Sequence, residues 1–92
     1  MPNVIDYIEL SRDFSIVEIP APDAFVGRTL KQLELRPRLG LTLIAIKRQS
    51  DESGAVVTNI APAADETIRR GDILALLGSN ERLNQLDHLL AR

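Results

Sequence analysis

The sequence predicts an α+β domain: a small sheet of about four strands with short helices packed on it. Three observations predict this class. Phe14 to Ile19 (FSIVEI), Ala55 to Ile60 (AVVTNI) and Ile73 to Leu77 (ILALL) are short runs rich in apolar and β-branched residues, each followed by turn-forming residues. Leu41 to Ile46 (LTLIAI) is almost continuously apolar, as a strand covered on both faces would be. Around these runs lie three amphipathic stretches, headed by the capping residues Asn3, Thr29 and Asn80.

In chain order, Asn3 caps a predicted leading helix through about Arg12, with Val4, Ile5 and Ile8 on one side. The strand Phe14 to Ile19 ends at Pro20-Ala21-Pro22, because proline cannot donate to a ladder. Thr29 begins a two-turn helix carrying Leu30 and Leu33. Pro37 biases Arg36 away from helical geometry and stops it. Leu41 to Ile46 and Ala55 to Ile60 pair as a hairpin around the polar turn Ser50 to Gly54. Pro62 to Thr67 is a loop, and Arg70-Gly71-Asp72 a tight turn into the last strand. A closing helix runs from an Asn80 cap to about Ala91, with Leu83, Leu86 and Leu90 as its apolar stripe.

Composition removes several classes of function. A formal charge of −2 lacks the basic surplus of a general nucleic-acid binder, so no nucleic-acid partner is expected. Cysteine is absent, which excludes disulfides and thiolate metal sites. The first ten residues hold Asp6 and Glu9 and do not read as a secretory signal, and no apolar run approaches the roughly 20 residues that span a bilayer. A cytoplasmic location is the expectation. The one histidine, His88, stands alone on the polar side of the last helix and reads as solvated. No serine lies in a nucleophile-elbow pattern and the glycines are isolated, so an enzyme is not expected. Asp51-Glu52 and Asp65-Glu66 lack the alternating spacing of a calcium loop, and no metal is expected there.

What remains is Arg36-Pro37-Arg38. Two readings are open: exposed surface charges, or a clamp for an anion. A guanidinium matches phosphate oxygens bidentately, and Pro37 limits the freedom lost on binding. Leu30, Leu35, Leu39, Leu41 and Leu43 flank the turn and can wall an apolar group. The leading helix and the LTLIAI strand together carry more apolar surface than one small domain covers, which predicts a homodimer. A two-fold axis near the arginines would double the site.

The stretches VGRTLKQLELR, GLTLIAIKR and GDILALLG, in this order, resemble the TrkA-C domain, the C-terminal lobe of regulator-of-potassium-conductance (RCK) subunits. The likeness runs from about Val4 to Asp87, and DYIELS looks most like the Ktr-type gating-ring subunits. It implies residues 1–13 as a leading helix and linker from an N-terminal nucleotide-binding lobe, and 14–92 as the regulatory domain. The chain would then be the cytosolic end of a longer subunit, dimeric, forming a higher ring beside a membrane potassium translocator. Some members bind cyclic di-AMP at the dimer interface, and the resemblance implies that ligand here. Arg36 would face a phosphate, with Glu34 and Leu35 just before it and Arg38 adding a second contact. Leu30, Leu35 and Leu43 would wall the base, and Pro62 would close the pocket. Thr42 stands where asparagine is frequent, offering one donor where an amide offers two plus an acceptor. The alternative implied by the same likeness is a ligand-free dimerisation lobe of a potassium system or a cation/proton antiporter.

Overall fold

The apolar runs pair into one antiparallel sheet of five strands, ordered β1-β2-β5-β3-β4. They are β1 (Asp6–Glu9), β2 (Phe14–Pro20), β3 (Thr42–Gln49), β4 (Val56–Ile60) and β5 (Ile73–Ser79). The computed structural model describes residues 4–90. Central β5, the most apolar strand, lies between β2 and β3, with Val17 opposite Leu76, Ile19 opposite Leu74, and Ile46 also opposite Leu74. Directly opposed side chains share a face, so these residues form the floor of the core. Phe25, Leu33, Leu35, Leu41, Ile68, Leu83 and Leu86 close over it.

Three short helices supply Leu33, Leu83 and Leu86 of that cover, α1 (Leu30–Leu33), α2 (Asn80–Asn84) and α3 (Leu86–Leu90), and the turns and loops supply Phe25, Leu35, Leu41 and Ile68. At α1 the Thr29 hydroxyl accepts from the Gln32 amide and the Gln32 side chain accepts from the Thr29 amide, a reciprocal cap. None of the described helices is long and apolar enough to cross a membrane.

Four sequence expectations are corrected. The predicted leading helix is instead strand β1, with Asp6 opposite Glu18 and Glu9 opposite Ser15; the proposed Asn3 cap lies outside the described residues. The chain reverses at Ser11–Asp13, where Leu10 and Ser11 amides both donate to the Phe14 carbonyl. A four-residue edge strand exposed along its whole length shows no alternation, so its apolar residues mimic a helical pattern. The sheet therefore has five strands where the sequence suggested about four. At the other end, Ser79 rather than Asn80 caps α2, its hydroxyl accepting from the Arg82 amide. Asn80 ties the β1–β2 hairpin to α2: it accepts from the buried Ser15 hydroxyl at 2.7 Å and donates to the Arg12 carbonyl at 3.0 Å. The single closing helix is two helices, and its predicted end at Ala91 lies outside the described residues.

The other face of the sheet carries Ile8, Ile16, Ala75, Ala45 and Ile60, by the same register, and no described helix covers it. Ile8 and Ile60 remain 48% and 66% exposed. One ion pair, Lys47–Glu18 at 2.8 Å, crosses this face. The hydrogen bond to Glu18 raises the Lys47 pKa.

Candidate functional site

The predicted two-turn helix is a single turn, α1, that stops at Leu33, and Arg36 does not leave helical geometry as expected but lies with Pro37 inside a second, wider turn. A proline ring collides with the carbonyl four residues back, here that of Leu33, and lacks an amide to donate. The chain breaks at Glu34, which takes left-handed geometry (φ 49°, ψ 50°), so the break falls before Arg36. Leu35–Leu39 then form one wide helical turn, ended by Gly40 at φ 70°. Backbone bonds hold it: Arg38 N to Glu34 O at 3.0 Å, Gly40 N to Arg36 O at 3.0 Å and Leu41 N to Leu35 O at 3.1 Å. Leu35 and Leu41 turn into the core, while Arg36, Pro37 and Arg38 stay exposed.

This turn, α1 and the start of β3 enclose an open depression of about 370 Å³. Of the residues singled out from the sequence, Leu30, Glu34, Leu35, Arg36, Thr42 and Leu43 line it together. Arg38 and Pro62 are not among its lining residues. Arg38 lies on the same turn, one residue beyond Pro37. Pro62 follows directly on Ala61, whose amide donates to the Ile44 carbonyl at 2.7 Å, which places it near the Thr42-Leu43 wall.

Lys31, Pro37 and Leu41 complete the lining and were not assigned to the site by the resemblance. Lys31 has a legible signal: it is a cation one helical turn before Glu34 and Leu35. The floor is leucine, and the rim holds Arg36 and Lys31 against the single acid Glu34. Among the described residues neither cation is in an ion pair. Such an arrangement can pair with an anion while burying an apolar or aromatic group beside it.

A larger depression of about 590 Å³ lies between the β3–β4 hairpin and Arg69. Its chemistry suits a ligand less well. Arg48 there is already bound to Asp72, with its Nε 2.8 Å from Oδ1 and its Nη2 2.7 Å from Oδ2. Asp51 and Glu52 on its rim repel an anion. Burial works to raise the Asp72 pKa, but hydrogen bonds from Arg48 and the Arg69 amide, with the Arg48 charge, bring it below the ordinary value. Asp72 of the Arg70-Gly71-Asp72 turn is thus a buried structural acid. Glu66 likewise serves within the fold, accepting from Asn59 at 3.1 Å. Among the described residues no three His, Asp or Glu side chains converge as metal ligands.

The TrkA-C domain family matches residues 14–91. The chain belongs to the TrkA-C domain family. Ktr system potassium uptake protein C of Bacillus subtilis (strain 168) is 40% identical over 77 residues, covering 84% of this TrkA-C chain and 32% of that protein. The K(+)/H(+) antiporter subunit KhtT of the same organism is 30% identical over 90 residues, covering 95% of this chain and 52% of the subunit. The chain therefore spans about a third to a half of these relatives. Among solved structures, the GsuK RCK domain superposes with a TM-score of 0.74 at 29% identity, over 89% of this chain and 17% of that one. The RCK C domain of the potassium transport protein KtrA, in complex with cyclic di-AMP, superposes with a TM-score of 0.65 at 31% identity, over 82% of this chain and 81% of that one. The five-stranded sheet with short helices is the TrkA-C fold.

Proposed function

We propose that this TrkA-C chain is a cytosolic regulatory module of a potassium uptake system, and that it binds cyclic di-AMP across the two-fold axis of a homodimer. One observation carries the reading. Six residues expected at the ligand, Arg36 among them, share one leucine-floored depression with Lys31, and neither cation is in an ion pair among the described residues. The solved KtrA domain, 31% identical, is a complex with that dinucleotide.

The ligand offers two phosphates and two adenines, and a dimer offers two copies of each half-site. Arg36 pairs with a phosphate and Lys31 adds a second positive charge. Leu30, Leu35 and Leu43 wall an adenine, and the Thr42 hydroxyl supplies a hydrogen bond. Glu34 accepts from the adenine amine, Arg38 stands at the rim, and Pro62 closes the side beyond Thr42-Leu43. The ligand shifts transport only through its differential affinity for one arrangement of the two lobes. The partner would be a membrane potassium translocator, with this domain peripheral to the membrane.

Titration calorimetry with cyclic di-AMP, with cyclic di-GMP as control, tests this directly. Adenine-selective binding of one ligand per two chains supports the reading. Arg36→Ala should weaken it by about 1.5–3 kcal/mol, roughly ten- to 150-fold, the scale for losing a charged hydrogen-bond partner. Unchanged affinity removes Arg36 from the site. The second reading, a ligand-free dimerisation lobe, is favoured by the uncovered apolar sheet face; absence of heat and of thermal shift for both dinucleotides selects it. The likeness to KhtT makes the coupled ion a separate question, answered by which translocator co-purifies.

A further inference from the structure

Helix α1, which carries Leu30 and Lys31 into the depression, has four residues and cannot hold its own position. Its placement comes from segment 64–68. The Leu30 amide donates to the Glu66 carbonyl at 3.0 Å and the Lys31 amide to the Ala64 carbonyl at 2.8 Å. Beside them, Gly27 N donates to Ile68 O at 2.8 Å and Ile68 N to Arg28 O at 2.9 Å. The first free amides of the helix are thus satisfied by a loop, and the loop sets where the helix lies.

That loop is gripped from the far side by Arg48, on β3. Besides its two bonds to Asp72, the guanidinium donates to the Thr67 carbonyl at 3.0 Å and reaches the Glu66 carboxylate at 3.4 Å. Asp72 also accepts from the Arg69 amide at 2.8 Å, so one side chain ties residues 66 to 72. We infer that Arg48 is a positioning residue for the ligand depression, acting through segment 64–68 on α1. The inference rests on the depression being the ligand site. Arg48 touches no part of it and lines the larger hollow instead.

Arg48→Lys keeps a cation beside Asp72 but loses the planar fork that spans the carboxylate and the Thr67 carbonyl. Two readouts test the role. In amide exchange, Gly27, Leu30, Lys31 and Ile68 should exchange at least about tenfold faster, while Val17, Leu74 and Leu76 change much less, the pattern of local opening. In titration, cyclic di-AMP affinity should fall about tenfold, whereas Ile19→Val, trimming the core elsewhere, should lower stability and leave affinity unchanged. Uniform exchange acceleration, unchanged exchange, or an equal affinity loss in Ile19→Val overturns the inference. If Arg48→Lys does not fold, Glu66→Gln keeps an oxygen to accept from Asn59, removes the charge facing Arg48 and spares the Arg48–Asp72 pair; the same selective exchange pattern is then expected, and its absence overturns the inference. Should the unaltered chain bind no cyclic di-AMP, the ligand reading fails, while exchange still decides whether Arg48 positions α1.

Discussion

Asp72 shows most clearly how one residue converts charge into fold. It is 1% exposed, and its carboxylate is held ionised by Arg48 and the Arg69 amide. Because its folded pKa lies below the ordinary value, its contribution is fully present above the unfolded pKa of about 3.9 and disappears as pH falls through the lower, folded one. Denaturant unfolding should therefore show stability falling below about pH 5. Asp72→Asn should cost about 2–4 kcal/mol at pH 7, because Arg48 loses its main partner, and the variant's pH profile should be flatter than the parent's in acid. Arg48 stays 24% exposed, which places the expected cost below that of a fully buried orphan. A variant as steep in acid as the parent would assign the titration to other carboxylates. The sequence displayed Asp72 only as a member of a turn, since nothing local signals a partner 24 residues away.

At the scale of elements, legibility followed burial for three strands and composition for a fourth. Strands β2, β3 and β5 each pack at least one face, so composition and alternation mark them. Strand β4 is exposed along its whole length yet was readable, because Val56, Val57, Thr58 and Ile60 are β-branched and follow the polar turn Ser50 to Gly54. Strand β1, equally exposed, has Ile8 as its one β-branched residue and was read as a helix. The capped start of α1 and the leucines around Arg36-Pro37-Arg38 were legible from local chemistry, and with them most of the depression, but the break at Glu34 and the wide turn holding Arg36 and Pro37 were not. Lys31 was missed although its spacing from Glu34 and Leu35 puts it on their side of the helix. The contact between β5 and the start of β3 was invisible in sequence, yet it borders the site. A methyl added at Gly78 would lie 2.7 Å from the Leu41 Cδ2 atom, and Leu41 is fully buried. Leu41 also lines the depression, so a shift of its side chain reaches the site. Gly78→Ala should therefore destabilise by about 1–2 kcal/mol in urea unfolding, the lower part of the overpacking range. It should also weaken ligand binding by narrowing the leucine floor. Full stability in this variant would mean that the two strands separate without cost.

For the whole molecule, two surfaces among the described residues bear on assembly: the open sheet face and the rim of the depression. They make different claims about assembly. If the ligand bridges two chains at the depression, binding and dimerisation are linked and each must strengthen the other by the same factor. Sedimentation at a chain concentration where the free protein is partly monomeric should then show cyclic di-AMP driving it to the dimer, complete near one ligand per two chains. Dilution should weaken apparent ligand affinity in parallel. Arg36→Ala should move the ligand-driven shift to roughly ten- to 150-fold higher ligand without changing the ligand-free monomer–dimer balance, because Arg36 pairs with no described carboxylate. Ile60→Lys, on the open sheet face, separates the alternatives. Loss of the ligand-free dimer with ligand-driven pairing retained would assign resting assembly to the sheet face and regulated assembly to the depression. Saturation at one ligand per chain, with no change in mass, would instead make each depression a complete site, and the two-fold arrangement would have no part in binding.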